Sequence, residues 1–238
     1  MTAALPQTRY LSRLREEQRR LGSKVSETDE PGPPRMIGGV DVCYEGDRAF
    51  AAAAVCDGET LEVVEVRYAR VRIDFPYIPT YLGYRELPPM EAALHRLAKQ
   101  PDVLLVDGHG RLHPAGSGIA CMAGVRLGLP TIGVAKHPLV GRPRPSANRE
   151  GGAVPVEFDG EVRGLAWTPP RATRPVFVSI GHRVSLQTAL SIVIRSTIGR
   201  GPKPLIVADT EARKIKEERK WEKGSWHDSR RRESAGGS

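Results

Sequence analysis

DVLLVDGHGRLHPAGSGIACMAGVRLGLPTIGVAK, residues 102–136, decides the fold class. Val103–Val106 is a short all-apolar run that stops at Asp107, the pattern of a strand covered on both faces. GIACMAGVRLGL, 118–129, has the apolar spacing of a helix, and TIGVAK, 131–136, is a second short strand. Strand, helix, strand at this spacing means parallel neighbours joined by a right-handed crossover. The chain is therefore α/β. In such sheets ligands gather at the carboxyl ends of the parallel strands, where Asp107 and Lys136 stand.

Upstream, residues 36–73 offer three strand-like runs parted by EGDR (45–48) and DGET (57–60). Asp57-Gly58 is a hairpin signal, so this is a β-meander with an acid, Asp41, inside its first strand. Leu11, Leu14, Leu21 and Val25 recur at near-helical spacing, and 26–35 is a loop of turn formers. DFPYIPTYLGYRE, 74–86, stiffens a tyrosine between prolines and closes on one acid, Glu86. Met90, Leu94, Leu97 and Ala98 then mark a helix with Pro88 and Pro89 in its first turn.

Downstream, 137–152 is a flexible basic loop, and 153–167 and 175–181 are strands. SLQTALSIVIRST, 185–197, is a helix with Ser185 as its N-cap. The segment from 209 begins helical and becomes a charged tail ending in Gly and Ser. The expected organisation is one domain, 1–215, and a charged tail, 216–238, disordered at least over its last ten or so residues.

A chain of 238 residues with net charge +8 and a pI near 9.7 suits a polyanionic partner, most simply nucleic acid. Cys43, Cys56 and Cys121 are scattered without metal-type spacing, as in a reducing compartment. The N-terminus lacks the apolar core of a signal peptide, and no run approaches the roughly 18 apolar residues of a membrane span. A soluble cytoplasmic protein without membrane contact is expected.

Several residues can carry chemistry, each with a structural alternative. Asp41 shares a strand face with Gly39 and Cys43; it is either paired or metal-bound, or it sits at a frayed strand position or is bonded to backbone. Asp107 is either a ligand at a strand end or half of an Asp-Gly turn. Glu86 is either a ligand or a partner of the helix dipole. Together the three acids can converge at one sheet edge and hold Mg²⁺ through carboxylates and substrate phosphate oxygens. Such an ion polarises a phosphodiester and activates water. Lys136 is placed either to neutralise phosphate charge or as an ordinary surface lysine. His109 and His113 either meet a phosphate or base, or cap loop carbonyls. His182, at a strand-to-helix junction, either meets a phosphate or is a packed loop residue.

GGVDVCY, PYIPTYLGYRE, VDGHGRLHPAGSGIACMAGVRLGLPTIGVAK and FVSIGHRVSLQTAL, in that order, resemble the endonuclease V family over roughly residues 8–215. The resemblance implies a ribonuclease-H-like fold, a mixed central sheet flanked by helices. It implies a Mg²⁺-dependent nuclease, with Mn²⁺ as a substitute, acting on DNA that contains deoxyinosine. The cut expected is at the second phosphodiester bond on the 3′ side of the lesion, by a monomeric enzyme. By position, Asp41, Glu86 and Asp107 match the metal-binding acids and Lys136 the active-site lysine. Pro76, Tyr77, Ile78 and Pro79 match a strand-separating wedge, and Gly108, His113, Ile119 and Leu139 the walls of a base pocket. Asp209 takes the place of a further C-terminal ligand. Two departures stand out: Thr80 follows the wedge where the family commonly has glycine, and Leu205-Ile206-Val207 replaces a Thr-Arg-containing stretch. An inosine-directed ribonuclease and a non-catalytic binder of damaged nucleic acid are the alternatives.

Overall fold

The structure, a computed structural model, describes residues 8–29, 32–144 and 152–233, with side chains as far as residue 218. It opens with α1 (Thr8–Gly22) and the expected meander, β1 (Met36–Glu45), β2 (Arg48–Asp57) and β3 (Val63–Arg72). Next come α2 (Leu82–Leu94), β4 (Val103–Asp107), α3 (Ile119–Leu127) and β5 (Thr131–Ala135). Then follow β6 (Arg142–Pro143), the hairpin β7 (Val154–Phe158) and β8 (Glu161–Trp167), and β9 (Val176–His182). The chain closes with α4 (Leu186–Ser196), a small ribbon of β10 (Thr197–Ile198) and β11 (Gly201–Pro202), and α5 (Lys203–Glu233).

Among the described residues nine strands form one mixed sheet in the order β3-β2-β1-β4-β5-β9-β8-β7-β6. β4 runs parallel to both β1 and β5, as the 102–136 stretch requires, and the other pairings are antiparallel. The three parallel strands end on one edge, so Asp41 and Asp107 arrive there from adjacent strands.

Alternation along each strand divides the core. Val40, Val42, Leu104 and Val106 point to one face, beneath Met90 and Leu94 of α2 and Ile119 of α3. Ile37, Val103, Leu105 and Ile132 point to the other, beneath Leu190 and Val193 of α4. The alanine run of β2, Ala49 and Ala51–Ala54, is fully buried. Small side chains on both faces let α2 on one side and α5 on the other come close to the same strand. Gly39 serves the same end on β1: a Cβ there would stand 2.3 Å from the Pro204 carbonyl carbon, so the start of α5 lies directly on the strand.

Two expectations change. Pro88 and Pro89 lie inside α2 rather than in its first turn, because the helix already begins at Leu82. Each proline removes a helical N–H and frees a carbonyl one turn back. Glu86 is therefore a helical residue, not one preceding a helix. At the other end, α5 continues as helix to Glu233, past the boundary drawn at 215; residues 234–238 lie outside the described residues. The basic loop over 137–152 contains β6, and its residues 145–151 also lie outside them. Among the described residues no helix is long and apolar enough to cross a membrane.

The loop after β4 is laid tightly on β9. The Gly110 N–H donates to Ser179 Oγ at 2.9 Å and the Arg111 N–H to the Ile180 carbonyl at 2.7 Å. A Cβ on Gly110 would stand 1.9 Å from that carbonyl oxygen, a backbone atom that cannot swing away. Gly110→Ala should therefore cost about 1–3 kcal/mol by overpacking, read as a melting temperature lowered by at least ~2 °C. An unchanged melting temperature would mean that the loop is not held against β9.

Candidate active site and base pocket

Asp41 projects from β1 toward α5. Its Oδ1 accepts the Val42 N–H at 2.8 Å, so part of the backbone-bonded alternative is realised. That bond does not satisfy the carboxylate. Burial raises its pKa first, then the Asp107 charge, then Asp209, which α5 brings within hydrogen-bonding reach. Asp107 ends β4, and its pKa too is raised by burial; Lys136 opposes the rise and Asp209 adds to it. Lys136 Nζ stands 3.6 Å from Asp107 Oδ2. This is the shared crevice expected from two adjacent parallel strand ends. Asp209 also accepts from Arg213 Nε at 2.7 Å within α5.

Glu86 comes from α2 and is only 9% exposed. Burial pushes its pKa up to about 7, with a further rise from Asp107 and a counter-effect from the Tyr44 hydroxyl. That hydroxyl donates to Glu86 Oε1 at 2.8 Å, and the Arg85 guanidinium lies 4.5 Å from the centre of the Tyr44 ring. Neither Tyr44 nor its bond was visible as a site feature in the sequence. The only cue is a tyrosine three residues after Asp41, whose side chain alternation sends to the α2 face.

Four carboxylates, Asp41, Glu86, Asp107 and Asp209, thus influence one another in a half-buried crevice, with Lys136 beside Asp107. Like charges kept from water are costly unless a cation joins them. The set consists of hard oxygen donors, as Mg²⁺ requires. Among the described residues no three acid, histidine or cysteine side chains stand close enough together to hold a metal ion by themselves. An open set of carboxylates suits an ion completed by water and phosphate oxygens.

The electrostatics make a prediction for protein in EDTA. Glu86 holds its proton in the folded state up to about pH 7, whereas an unfolded glutamate loses it near its ordinary value of about 4.3. The folded state therefore binds more protons in that window, and its contribution to stability falls as pH rises through it. Melting temperature should decline from about pH 4.5 to 7 for this reason. Mg²⁺ at ten times its Kd should restore about 1.4 kcal/mol, or ~3–6 °C, at pH 7.5. A melt insensitive to Mg²⁺ at that pH would speak against the carboxylates as a cation site.

Beside the acids lies the Pro76–Pro79 loop. Tyr77 is 68% exposed at its tip. Both ends of the loop are tied: Arg85 Nη1 donates to the Phe75 carbonyl at 2.6 Å, and the Tyr81 N–H to the Ile78 carbonyl at 3.0 Å. Tyr77 and Pro79 stand at the wall of a cavity of about 180 Å³ that Gly108, His113, Ile119 and Leu139 also line. All four residues assigned to a base pocket are thus brought together, next to the Pro76–Pro79 loop. Gly108 is needed there, since a Cβ would lie 2.5 Å from Ile119 Cγ2.

His113 is 3% exposed, and burial lowers its pKa to about 4. Its Nε2 lies 2.8 Å from the Thr80 carbonyl, which can only accept, and its Nδ1 accepts the Ala115 N–H at 3.1 Å. The ring is a neutral tautomer with both nitrogens occupied, so it offers a base its face and not a hydrogen bond. His109 similarly spends Nε2 on the His137 carbonyl at 2.8 Å, which pins the segment that follows Lys136. His182 is buried, and its Nδ1 accepts the Ser26 N–H at 3.1 Å: it is the packed residue of the two alternatives. Gln18 of α1 is 1% exposed and lines the same cavity.

Comparison with known proteins agrees with this geometry. The family model described as Endonuclease V matches residues 19–210. Endonuclease V of Thermofilum pendens is 46% identical over 208 residues, 86% of this chain and 88% of that protein. The crystal structure of endonuclease V from Streptomyces avermitilis superposes with a TM-score of 0.82 at 37% identity, covering 92% of this chain and 98% of that one. Endonuclease V of Ciona intestinalis, in complex with a 24-mer DNA containing an inosine followed by a ribo-adenosine, gives 0.80 at 29% identity, over 88% and 99%. The ribonuclease-H-like expectation for the sheet and its helices holds across these relatives. Matches of this extent, over the residues that build both the acidic crevice and the cavity, show that the chain belongs to the endonuclease V family.

Proposed function

We propose that this protein is a Mg²⁺-dependent DNA-repair endonuclease that recognises deoxyinosine and hydrolyses the second phosphodiester bond on its 3′ side. The observation that carries this reading is the adjacency of an acidic crevice and a base-sized cavity, with an exposed tyrosine on a stiff loop at the cavity wall. The Ciona relative bound to inosine-containing DNA supports the substrate class.

Asp41, Glu86 and Asp107, joined by Asp209, would hold the ion; when bound it supplies Lewis-acid polarisation of the phosphate and acidifies the attacking water. The protein does the rest. Tyr77 enters the gap left by the displaced base, and the prolines on either side hold its backbone while stacking is broken. Gly108, Ile119 and Leu139 enclose the extruded base and the His113 ring faces it. Lys136, beside Asp107, meets the negative charge that builds on the scissile phosphate. Tyr44 holds Glu86 through its Oε1. The net charge of +8 favours approach to a polyanion. We place the enzyme in the cytoplasm as a monomer.

The test uses duplexes identical except for one deoxyinosine in place of deoxyadenosine, incubated with Mg²⁺, Mn²⁺ or EDTA. Nicking confined to the inosine strand, supported by either metal and lost in EDTA, is expected. Equal cutting of both duplexes, or cutting that survives EDTA, would overturn the reading.

A further inference from the structure

Thr80, directly after the wedge, has φ +69°, a left-handed conformation that β-branched residues rarely adopt. Something must hold it there, and three side chains converge on it. Arg15 Nη2 donates to Thr80 Oγ1 at 2.5 Å. Gln18 Nε2 and His113 Nε2 each donate to the Thr80 carbonyl at 2.8 Å. Arg15 Nη1 also donates to Gln18 Oε1 at 2.9 Å, and its guanidinium lies 4.5 Å from the centre of the Tyr81 ring. A single arginine on α1 thus orders the glutamine that shares its target and stacks on the residue after it. Tyr84 adds a parallel tie from α2, its hydroxyl donating to the Leu14 carbonyl at 2.8 Å.

We infer that Arg15 and Thr80 form a latch that fastens the exit of the wedge to α1, which makes both of them positioning residues for the insertion of Tyr77. Arg15 is on a helix that supplies none of the four acids, so its effect reaches the reaction through Thr80, the loop before it and Gln18 at the cavity wall. A threonine is tolerated at a backbone conformation suited to glycine because its hydroxyl gains a charge-assisted bond there. The loop gives up the freedom a glycine would have, and the wedge meets the helix from one fixed direction. This inference rests on Tyr77 acting as a wedge.

The test compares cleavage of inosine in duplex DNA, where stacking against a partner strand must be broken, with cleavage of the same inosine strand alone. The full-length protein and Arg15→Ala, Arg15→Lys, Thr80→Gly, Thr80→Ser and the Arg15→Ala/Thr80→Gly pair are measured. Glycine accepts φ +69° without strain, so Thr80→Gly removes the bond and not the conformation. Lysine keeps the charge but lacks the fork that reaches Gln18 and Thr80 together. Loss of a charged hydrogen bond should lower the duplex-to-single-strand ratio of kcat/KM about tenfold in Arg15→Ala and Thr80→Gly. The pair should be no worse than Arg15→Ala, because the bond to Thr80 is already lost in that single change. Thr80→Ser, which keeps the hydroxyl, should retain more of the ratio than Thr80→Gly. A simple loss of folding would depress both substrates alike and lower the melting temperature; Arg15→Lys, the mildest change, guards against it. The latch is overturned if Arg15→Ala leaves the ratio unaltered, or if the two losses multiply in the pair. Tyr77→Ala, run beside them, separates the two failures. If it lowers the ratio while the latch variants do not, only the latch falls; if it too is without effect, the wedge falls and the latch with it.

Discussion

Asp107→Asn should bind inosine-containing duplex about as well as the parent protein and cut it at least ~10³-fold more slowly. The size follows from what the ion contributes, several kcal/mol of stabilisation to a transition state in which charge builds on the phosphate. Asp107 is placed to control that contribution. It ends the central parallel strand, it influences both Asp41 and Glu86, and it is the carboxylate beside Lys136. Asparagine keeps the shape and removes the charge. A corollary separates chemistry from folding. Burial and Asp209 already disfavour the Asp107 charge, so in EDTA the variant should melt no lower than the parent protein. Single-turnover rates and a binding titration on one duplex decide the matter. Cleavage surviving within tenfold of the parent rate would remove Asp107 from the metal site.

Tyr77→Ala should lower kcat/KM on duplex inosine DNA roughly 5- to 150-fold, the worth of about 1–3 kcal/mol of stacking on a base. The side chain is largely exposed, so its removal creates no core cavity and the melting temperature should hardly move. Tyr77→Phe keeps the aromatic face and should retain most of the activity. A fluorescent base analogue beside the inosine reports unstacking directly: its signal on binding should fall in Tyr77→Ala and persist in Tyr77→Phe. An unchanged rate and signal in Tyr77→Ala would make the Pro-Tyr-Ile-Pro segment a structural loop.

Local chemistry made the strand framework readable. The apolar run that halts at Asp107 and the acid inside the first meander strand both follow from alternation and burial, and both residues stand at the expected sheet edge. Glu86 was harder. Two prolines read as a helix start, yet α2 begins six residues before Pro88, so the acid came out one element too early. Proline pairs are ambiguous in this way, because only the carbonyls one turn back reveal whether a helix is already running. The missing parts of the site are long-range pairs. Tyr44 meets Glu86 across 42 residues, and Arg15 meets Thr80 across 65. No periodicity links such partners. Arg15 and Gln18 lie in a run of charged and polar residues that suits a solvated helix face, and only packing against Thr80 explains why Gln18 is buried. His113 lines the cavity, but the occupation of both its nitrogens by backbone depends on contacts with Thr80 and Ala115 that only the fold supplies. Thr80, marked in the sequence as a departure from glycine, keeps a left-handed backbone with its hydroxyl bonded to Arg15.

The most direct measurement maps the cut at nucleotide resolution. A 5′-labelled duplex with one deoxyinosine is incubated with the protein in Mg²⁺ and in EDTA, beside an RNA strand carrying inosine at the same place. We expect a single Mg²⁺-dependent product, broken at the second phosphodiester bond 3′ to the deoxyinosine. Cutting of the RNA alone would move the same acids and pocket to inosine-containing RNA. Absence of cleavage from both strands in Mg²⁺, with binding intact, would contradict the assignment of Asp41, Glu86 and Asp107 to a working nuclease centre.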